Sequence, residues 1–235
     1  MALPKLNTPT YELELPSTGK IIKYRPFLVK EQKLLMMAQE SENDDEMARA
    51  MGTLCSDCTF GLVTAENNPM FDLEYVFLKL RSKSVGEEAT INVICPDDLT
   101  TEVLVKVKLD EIECQMLEEH TNEIQLTKDV KMILRYPYIR DMTGMPADIS
   151  EQNKVFVLLN NCISAIVHED EVHQHEDISK KELDEFVESL TTEQFGEIMK
   201  FFTTMPKVRH VIKITNPKTK KKSEVVLEGL ESFLG

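Results

Sequence analysis

Cysteine spacing is the first feature of this sequence that could do chemistry. Cys55 and Cys58 are separated by two residues, the spacing that lets two thiolates bind one zinc ion. Cys95 precedes a proline, as in the turns that open many zinc ribbons, but no second cysteine completes that turn. A structural zinc site needs four ligands, and the next cysteine is Cys114. We therefore interpret the cysteines as buried thiols and predict no metal or other cofactor, with zinc binding by these four residues as the alternative.

Histidines and carboxylates form a second group with metal-binding chemistry. His168, His173 and His175 alternate with acidic residues between positions 168 and 177, a mixture that could chelate a divalent ion. Their spacing is not that of a helical two-histidine site, so no glutamate takes the position of the general base in a metalloprotease motif. The pattern favours a solvated acidic loop.

Catalytic motifs are missing from the sequence. It contains no nucleophile elbow, phosphate-binding glycine loop or dinucleotide fingerprint, and it has only 8 glycines. With 41 acidic residues, pairs of carboxylates arise by chance and do not indicate acid–base catalysis. We predict that the protein is not an enzyme.

Positive charge is concentrated in one short segment. The chain has 27 basic and 41 acidic residues, a formal net charge of −14 that repels phosphate backbones and disfavours general nucleic-acid binding. Against this background, Lys218, Lys220, Lys221 and Lys222 form a basic cluster in a predicted hairpin turn. One interpretation is a solubilising turn, and the other is a salt-dependent contact with an acidic partner surface or polyanion.

Methionine is abundant, with 12 residues, several of them on the early predicted helices. Met36 and Met37 are adjacent, and Met47 and Met51 follow at helical spacing. Such flexible apolar side chains fill gaps in a core, but they also suit surfaces that accept a partner helix. Met36 and Met37 are therefore candidate partner-binding residues.

Two distant segments have the same hairpin pattern. In residues 91–112 and 211–230, an alternating apolar run meets a polar turn that contains a proline and returns as a second alternating run. Similar alternation predicts a third hairpin over residues 11–24 and another strand pair over residues 123–136. These hairpins are typical of elements that dock onto other proteins.

Helix signals occupy most of the remaining chain. Residues 29–40 are rich in helix formers, and Asn43 and Asp72 are predicted N-caps of the next two helices. Ser150 is predicted to cap a long buried helix whose apolar face runs from Val155 to Ile166. Capping-box patterns begin two shorter helices at Ser179 and Thr191, and a further short helical stretch is expected over residues 110–118.

The predicted fold is α+β, with a helical core and several antiparallel β-hairpins in two subdomains. Prolines and a change of pattern favour a boundary between residues 1–145, which include an inserted hairpin near 90–110, and residues 146–235, a helical part that ends in a β-hairpin. No apolar run approaches the length of a membrane helix, and the first residues lack the layout of a signal peptide. We expect a protein that stays where it is made and does not contact membranes.

Several segments together carry a resemblance to a known family. These are Pro9–Lys20 and Tyr24–Lys33, Cys95-Pro96 with the return strand ending at Leu109, and residues 216–219 and 227–233. In these segments the sequence resembles the baseplate hub subunit family of T-even-type contractile-tailed bacteriophages. The resemblance covers nearly the whole chain and involves no active-site motif.

This resemblance implies a late phage protein that builds the hub of the tail baseplate through protein–protein contacts. The implied role is a hub subunit or an assembly chaperone, with other tail or baseplate hub proteins, including the tape measure protein, as partners. The implied location is the host cytoplasm during assembly and the baseplate of the finished tail. The alternative function is a zinc-ribbon-like regulatory adaptor that contacts nucleic acid through the lysine turn.

Overall fold

The computed structural model describes residues 7–143, 145 and 149–233, and over these residues the fold is α+β. The strands are β1 (Tyr11–Glu14), β2 (Ile21–Tyr24), β3 (Glu88–Ile94), β4 (Glu102–Lys108), β5 (Glu113–Gln115), β6 (Glu123–Gln125), β7 (Val130–Leu134), β8 (Ile163–His168), β9 (Glu171–Gln174), β10 (Lys207–Thr215) and β11 (Lys222–Glu228). The helices are α1 (Val29–Glu40), α2 (Asp44–Cys58), α3 (Met70–Ser84), α4 (Ile139–Met142), α5 (Glu151–Cys162), α6 (Lys180–Glu188) and α7 (Thr192–Thr204).

The described residues divide into two compact units. Unit 1 contains those of residues 1–115 and 206–235, and unit 2 contains those of residues 116–205. This spatial division differs from the subdomains expected from the sequence, 1–145 and 146–235, because β10 returns to pair with β5. The expected boundary stays a prediction, and residue 146, where its second part begins, lies outside the described residues.

Unit 1 contains the two hairpins with matching sequence patterns, and both are confirmed. β3 pairs with β4, β10 pairs with β11, and each pairing is antiparallel. Alternate residues of these strands are buried in one core cluster, which includes Ile91, Val93, Ile212 and Ile214. Apolar and polar residues alternate in both segments because each hairpin has one apolar face, and both apolar faces pack into this core cluster.

The segment after β4 corrects one expectation. The predicted helical stretch over residues 110–118 is limited to one 3-10 turn at Leu109–Glu111, followed by β5. β5 pairs with β10, so that Cys114 lies opposite Val208. This pairing joins residues far apart in the chain, and local sequence patterns do not report such partners.

The first hairpin, β1–β2, is also confirmed, and its turn is attached to α3 by Asp72. Asp72 is fully buried and accepts hydrogen bonds from the Ser17 amide at 3.0 Å, the Ser17 hydroxyl and the Asn68 side-chain amide. The prediction that Asp72 caps α3 is wrong, because the helix begins at Met70 directly after Pro69. Asp72 lies within the first turn and binds a different element instead.

A buried ion pair connects the start of α1 with the end of α2. The Arg25 guanidinium lies 2.8 Å from Glu31, whose side chain is 2% exposed, and it also donates to backbone oxygens of Pro26 and Asp57. Burial on its own raises the pKa of Glu31, but hydrogen bonds from Arg25, the Leu28 amide and Lys30 outweigh it and bring the pKa to about 2. The carboxylate is therefore held in its charged form.

Unit 2 combines the sheet β6-β7-β8-β9 with α5, α6 and α7. The Ser150, Ser179 and Thr191 caps form as predicted, the last two as capping boxes, and so does the Asn43 cap of α2 in unit 1. The predicted extension of the long helix to Ile166 is wrong, because the helix ends at Cys162 and Ile163–His168 is β8. The isoleucines and valine of this segment favour a strand, and pairing with β7 satisfies its backbone.

The acidic histidine segment is a hairpin, not a loop. His168 ends β8 and His173 lies on β9, with both rings exposed, while His175 follows in a 3-10 turn. All of β9 is exposed, because it forms the edge of the sheet. The charged residues therefore lie along an edge strand, where they oppose pairing with other strands.

An aromatic cluster lies against the sheet of unit 2. The Phe201 side chain is 1% exposed, and its ring centroid lies 5.2 Å from that of His120 and 5.6 Å from that of Tyr136. His120 makes hydrogen bonds of 2.9 Å with Thr204 Oγ1 and 3.1 Å with Tyr136 Oη. His120 thus connects the segment before β6 with α7.

We predict that unit 2 loses stability when His120 becomes protonated. Burial lowers the pKa of His120 below its usual value of about 6.5, so the folded chain binds fewer protons than the unfolded chain. The stability that the neutral ring provides is therefore present above about pH 6.5 and is lost as the pH falls toward the folded pKa. The thermal midpoints of wild type and His120→Gln are to be measured at pH 7.5 and 5.5. The difference between the two midpoints should be smaller at pH 5.5. His173→Gln, on the exposed strand β9, is the control. A difference in thermal midpoint between wild type and His120→Gln that is the same at both pH values contradicts the prediction.

Candidate partner-binding surface

The turn between β10 and β11 carries the lysine cluster and is held by its own hydrogen bonds. The Asn216 side chain accepts from the amides of Lys218 at 2.8 Å and Thr219 at 3.2 Å. The amide of Lys220 donates to the Asn216 carbonyl at 2.9 Å, and the Asn216 amide donates to the Lys221 carbonyl at 2.9 Å. Since most backbone polar groups of this turn have partners, the lysines are presented on an ordered backbone.

All four side chains of the predicted cluster are exposed: Lys218, Lys220, Lys221 and Lys222. Other lysines on hairpin surfaces are paired, for example Lys213 with Glu224 at 3.4 Å and Lys207 with Glu228 at 2.8 Å. None of the ion pairs found among the described residues involves the four lysines of the turn. Their charge is therefore available to a partner, in a chain whose net charge is −14.

The turn between β3 and β4 contacts the lysine turn, an arrangement we call the tip contact. Asp97 accepts hydrogen bonds from the Asn216 side-chain amide at 3.0 Å and from the Thr219 hydroxyl. Thr219 and Asn216 thereby lower the pKa of Asp97, and Thr101 and Asn216 lower that of Asp98. The tip contact fixes the lysine turn against the β3–β4 hairpin.

Met36 and Met37 lie on α1, which is unusually exposed for a helix of a folded protein. Only Glu31 and Ala38 of its 12 residues are buried. Met36 and Met37 are 55% and 59% exposed, and Val29 is 81% exposed. These two methionines do not fill a core, whereas Met51 of α2 is buried at 5% exposure. An exposed apolar helix face of this kind suits contact with another polypeptide.

The candidate zinc ligands are spread over three elements. Cys55 and Cys58 lie in α2, Cys95 follows β3, and Cys114 lies on β5. Burial raises the pKa of Cys58 to about 11 and that of Cys114 to about 12, which favours neutral thiols over the thiolates that zinc requires. Over residues 7–143, 145 and 149–233, no group of three or more His, Cys, Asp or Glu side chains is placed to hold a metal ion.

Sequence reasoning missed the residues that join the two hairpins. Asp97, Asn216 and Thr219 make the tip contact, and none of them was a candidate. A signal was present in the repeated pattern, because Cys95-Pro96 and Asn216-Pro217 begin the two turns in the same way. The repeat showed that the turns are alike, but a contact between them depends on packing of the hairpins.

Short strands in small antiparallel sheets, together with helices, place the described residues in the α+β class. Comparison with protein families identifies the family of this α+β protein. A family model described as T4 bacteriophage base plate protein matches residues 8–235, and the chain belongs to this family. No curated protein and no solved structure is similar enough to match the chain.

The family match confirms the resemblance to T4-type phage baseplate proteins and supports a structural role in the baseplate. It implies a component of the virion tail that contacts other tail proteins. Within the described part of the chain, no helix combines the length and the apolar character needed to span a membrane.

Proposed function

We propose that the protein is a non-enzymatic component of the baseplate hub that binds neighbouring tail proteins through its lysine turn. The observation that carries this proposal is the ordered, exposed cluster Lys218, Lys220, Lys221 and Lys222, which has no acidic partner among the described ion pairs. The family match supports a baseplate role, and the charge of the turn supports an acidic surface as its target.

The mechanism follows from the contrast between the turn and the rest of the chain. A net charge of −14 repels acidic partners from most directions, whereas the lysine turn attracts them at one place. This difference orients the encounter and fixes which surface meets the partner. Because the tip contact holds the turn, little backbone conformational entropy is lost when the lysines bind.

We predict that changing all four lysines of the turn to alanine weakens partner binding about tenfold or more at low salt. The measurement is co-expression with candidate hub and tape measure proteins of the same phage, followed by size-exclusion chromatography and titration of the isolated complex at several ionic strengths. The wild-type affinity should fall steeply as salt increases, and the variant should show a shallower dependence.

The matched control alters four lysines that are paired with carboxylates elsewhere, which gives the same change in net charge. These residues are Lys106, Lys131, Lys181 and Lys200. The control should bind nearly as well as wild type. Equal losses in both variants would show that total charge, and not the turn, determines binding. If none of the candidate proteins co-elutes with wild type, the proposed partners are wrong.

A second candidate function, an assembly chaperone in the host cytoplasm, is favoured by the exposure of α1. Val29, Met36 and Met37 offer an apolar face that could cover a helix of a hub or tape measure protein until the hub closes. Mass spectrometry of purified tails separates the two functions. A hub subunit is present in the finished tail in fixed stoichiometry, whereas a chaperone is absent.

A further inference from the structure

The turns of the two matching hairpins have the same backbone design. Each begins with a buried residue followed by proline, Cys95 in the first turn and Asn216 in the second. The carbonyl of that residue accepts the amide four positions later, from Leu99 or Lys220, at 2.9 Å in both turns. Leu99 and Lys220 both adopt left-handed backbone conformations, with φ of 56° and 63°. Such a conformation is uncommon for residues other than glycine, so its occurrence at matching positions indicates one shared geometry.

A zinc knuckle has the same requirements of spacing and geometry. It places two cysteines on a tight turn at positions separated by two residues, and two such turns face each other to complete a tetrahedral site. The corresponding positions of this chain are Cys95 and Asp98 in the first turn and Asn216 and Thr219 in the second. Only Cys95 is a usual ligand of structural zinc, so this set does not supply a complete zinc site.

Hydrogen bonds connect the two turns. Asn216 and Thr219, the two ligand-spaced residues of the second turn, both donate to the single carboxylate of Asp97 in the first turn. Asp98 accepts within its own turn from the Thr101 amide at 3.0 Å and from the Thr101 hydroxyl, and the Asn216 side chain also lowers its pKa. Two residues of one turn therefore converge on one group of the other, as two ligands converge on a metal ion.

We infer that the two turns are laid out as paired zinc knuckles in which Asp97 takes the place of the metal, so that the hairpins are joined without one. The inference does not rest on the proposed function, because it concerns how unit 1 is held together. It also assigns a role to Asp97 as the positioning residue for the turn that carries the lysines.

The first test removes the shared carboxylate. Asp97→Ala removes the carboxylate that accepts from the Asn216 amide and the Thr219 hydroxyl, and hydrogen exchange of residues 214–222 should become about tenfold faster. Asp129→Ala, in the turn between β6 and β7, is the control and should leave that segment unchanged. In addition, the thermal midpoint of wild type should be the same with and without a metal chelator. Unchanged exchange in Asp97→Ala, or a fall in the midpoint on chelation, overturns the inference.

The second test converts the turns into a metal site. Asp98→Cys, Asn216→Cys and Thr219→Cys, combined with the native Cys95, supply four thiolates at the ligand positions. The triple variant, purified under reducing conditions, should bind about one equivalent of zinc more than wild type, and saturating zinc should raise its thermal midpoint by about 5 °C or more. Cobalt bound in its place should give the absorption spectrum of tetrahedral thiolate coordination.

A matched control contains three new cysteines in the same turns at other positions: Thr100→Cys, Lys218→Cys and Lys221→Cys. It should bind no more zinc than wild type. A folded triple variant that binds less than about half an equivalent above wild type, or no more than this control, overturns the inference. If the triple variant does not fold, the exchange measurement on Asp97→Ala decides.

Discussion

Replacing Glu31 with alanine is expected to lower the free energy of unfolding by about 3 kcal/mol. The change leaves the Arg25 guanidinium, whose side chain is 12% exposed, without the carboxylate that lies 2.8 Å away. A charge that loses its counter-ion in such a position is strongly destabilising, because the remaining backbone acceptors of Pro26 and Asp57 replace only part of the hydration that the charge lost on folding. Chemical denaturation followed by far-UV circular dichroism measures the effect.

Glu12→Ala is the matched control for this prediction. Glu12 pairs with Lys23 at 3.9 Å, but both side chains are more than half exposed. Glu12→Ala should therefore lower the free energy of unfolding by no more than about 0.5 kcal/mol. A loss below about 1 kcal/mol for Glu31→Ala would contradict the prediction and would mean that water reaches Arg25 after the substitution.

Replacing Phe201 with alanine is expected to destabilise unit 2 by about 3–4 kcal/mol. The ring is almost fully buried among His120, Tyr136 and Phe202, so its removal leaves a cavity that the sheet and helices can only partly close. Hydrogen exchange resolved along the chain is the suitable measurement, because it reports on unit 2 separately. Exchange should become faster throughout β7, β8 and α7.

The control for Phe201 is Phe156→Ala in the same unit. Phe156 is 42% exposed, and its ring centroid lies 5.3 Å from that of Phe195. Phe156→Ala should therefore lower the free energy of unfolding by about 1 kcal/mol or less. If both variants change exchange by the same amount, burial of Phe201 is not the source of its effect.

Elements with a strong local signal could be predicted from the sequence. The bounds of α1 and the caps at Asn43, Ser179 and Thr191 agree with the structure, because propensity and capping act within a few residues. The matching hairpins were also clear, since strand alternation and a proline turn are visible in the sequence.

The errors lie where distant partners decide the structure. Glu113–Gln115 forms a strand because it pairs with β10. Ile163–His168 forms a strand and does not extend α5, because it pairs with β7. The lysine turn could be identified as a candidate partner-binding site because charge is local. The tip contact could not, because Asp97 and Thr219 are more than 100 residues apart and meet only through packing.

The pairing of β5 with β10 has a consequence for the order of folding during synthesis. Unit 2 is a continuous segment and can begin to fold as soon as it leaves the ribosome, whereas β3, β4 and β5 are made long before β10 and β11. Until β10 and β11 emerge, the apolar faces of the β3–β4 hairpin and α3 lack part of their core, and closure of so long a loop is slow. The nascent chain is therefore most prone to aggregation in this interval, when chaperones of the host would have their greatest effect.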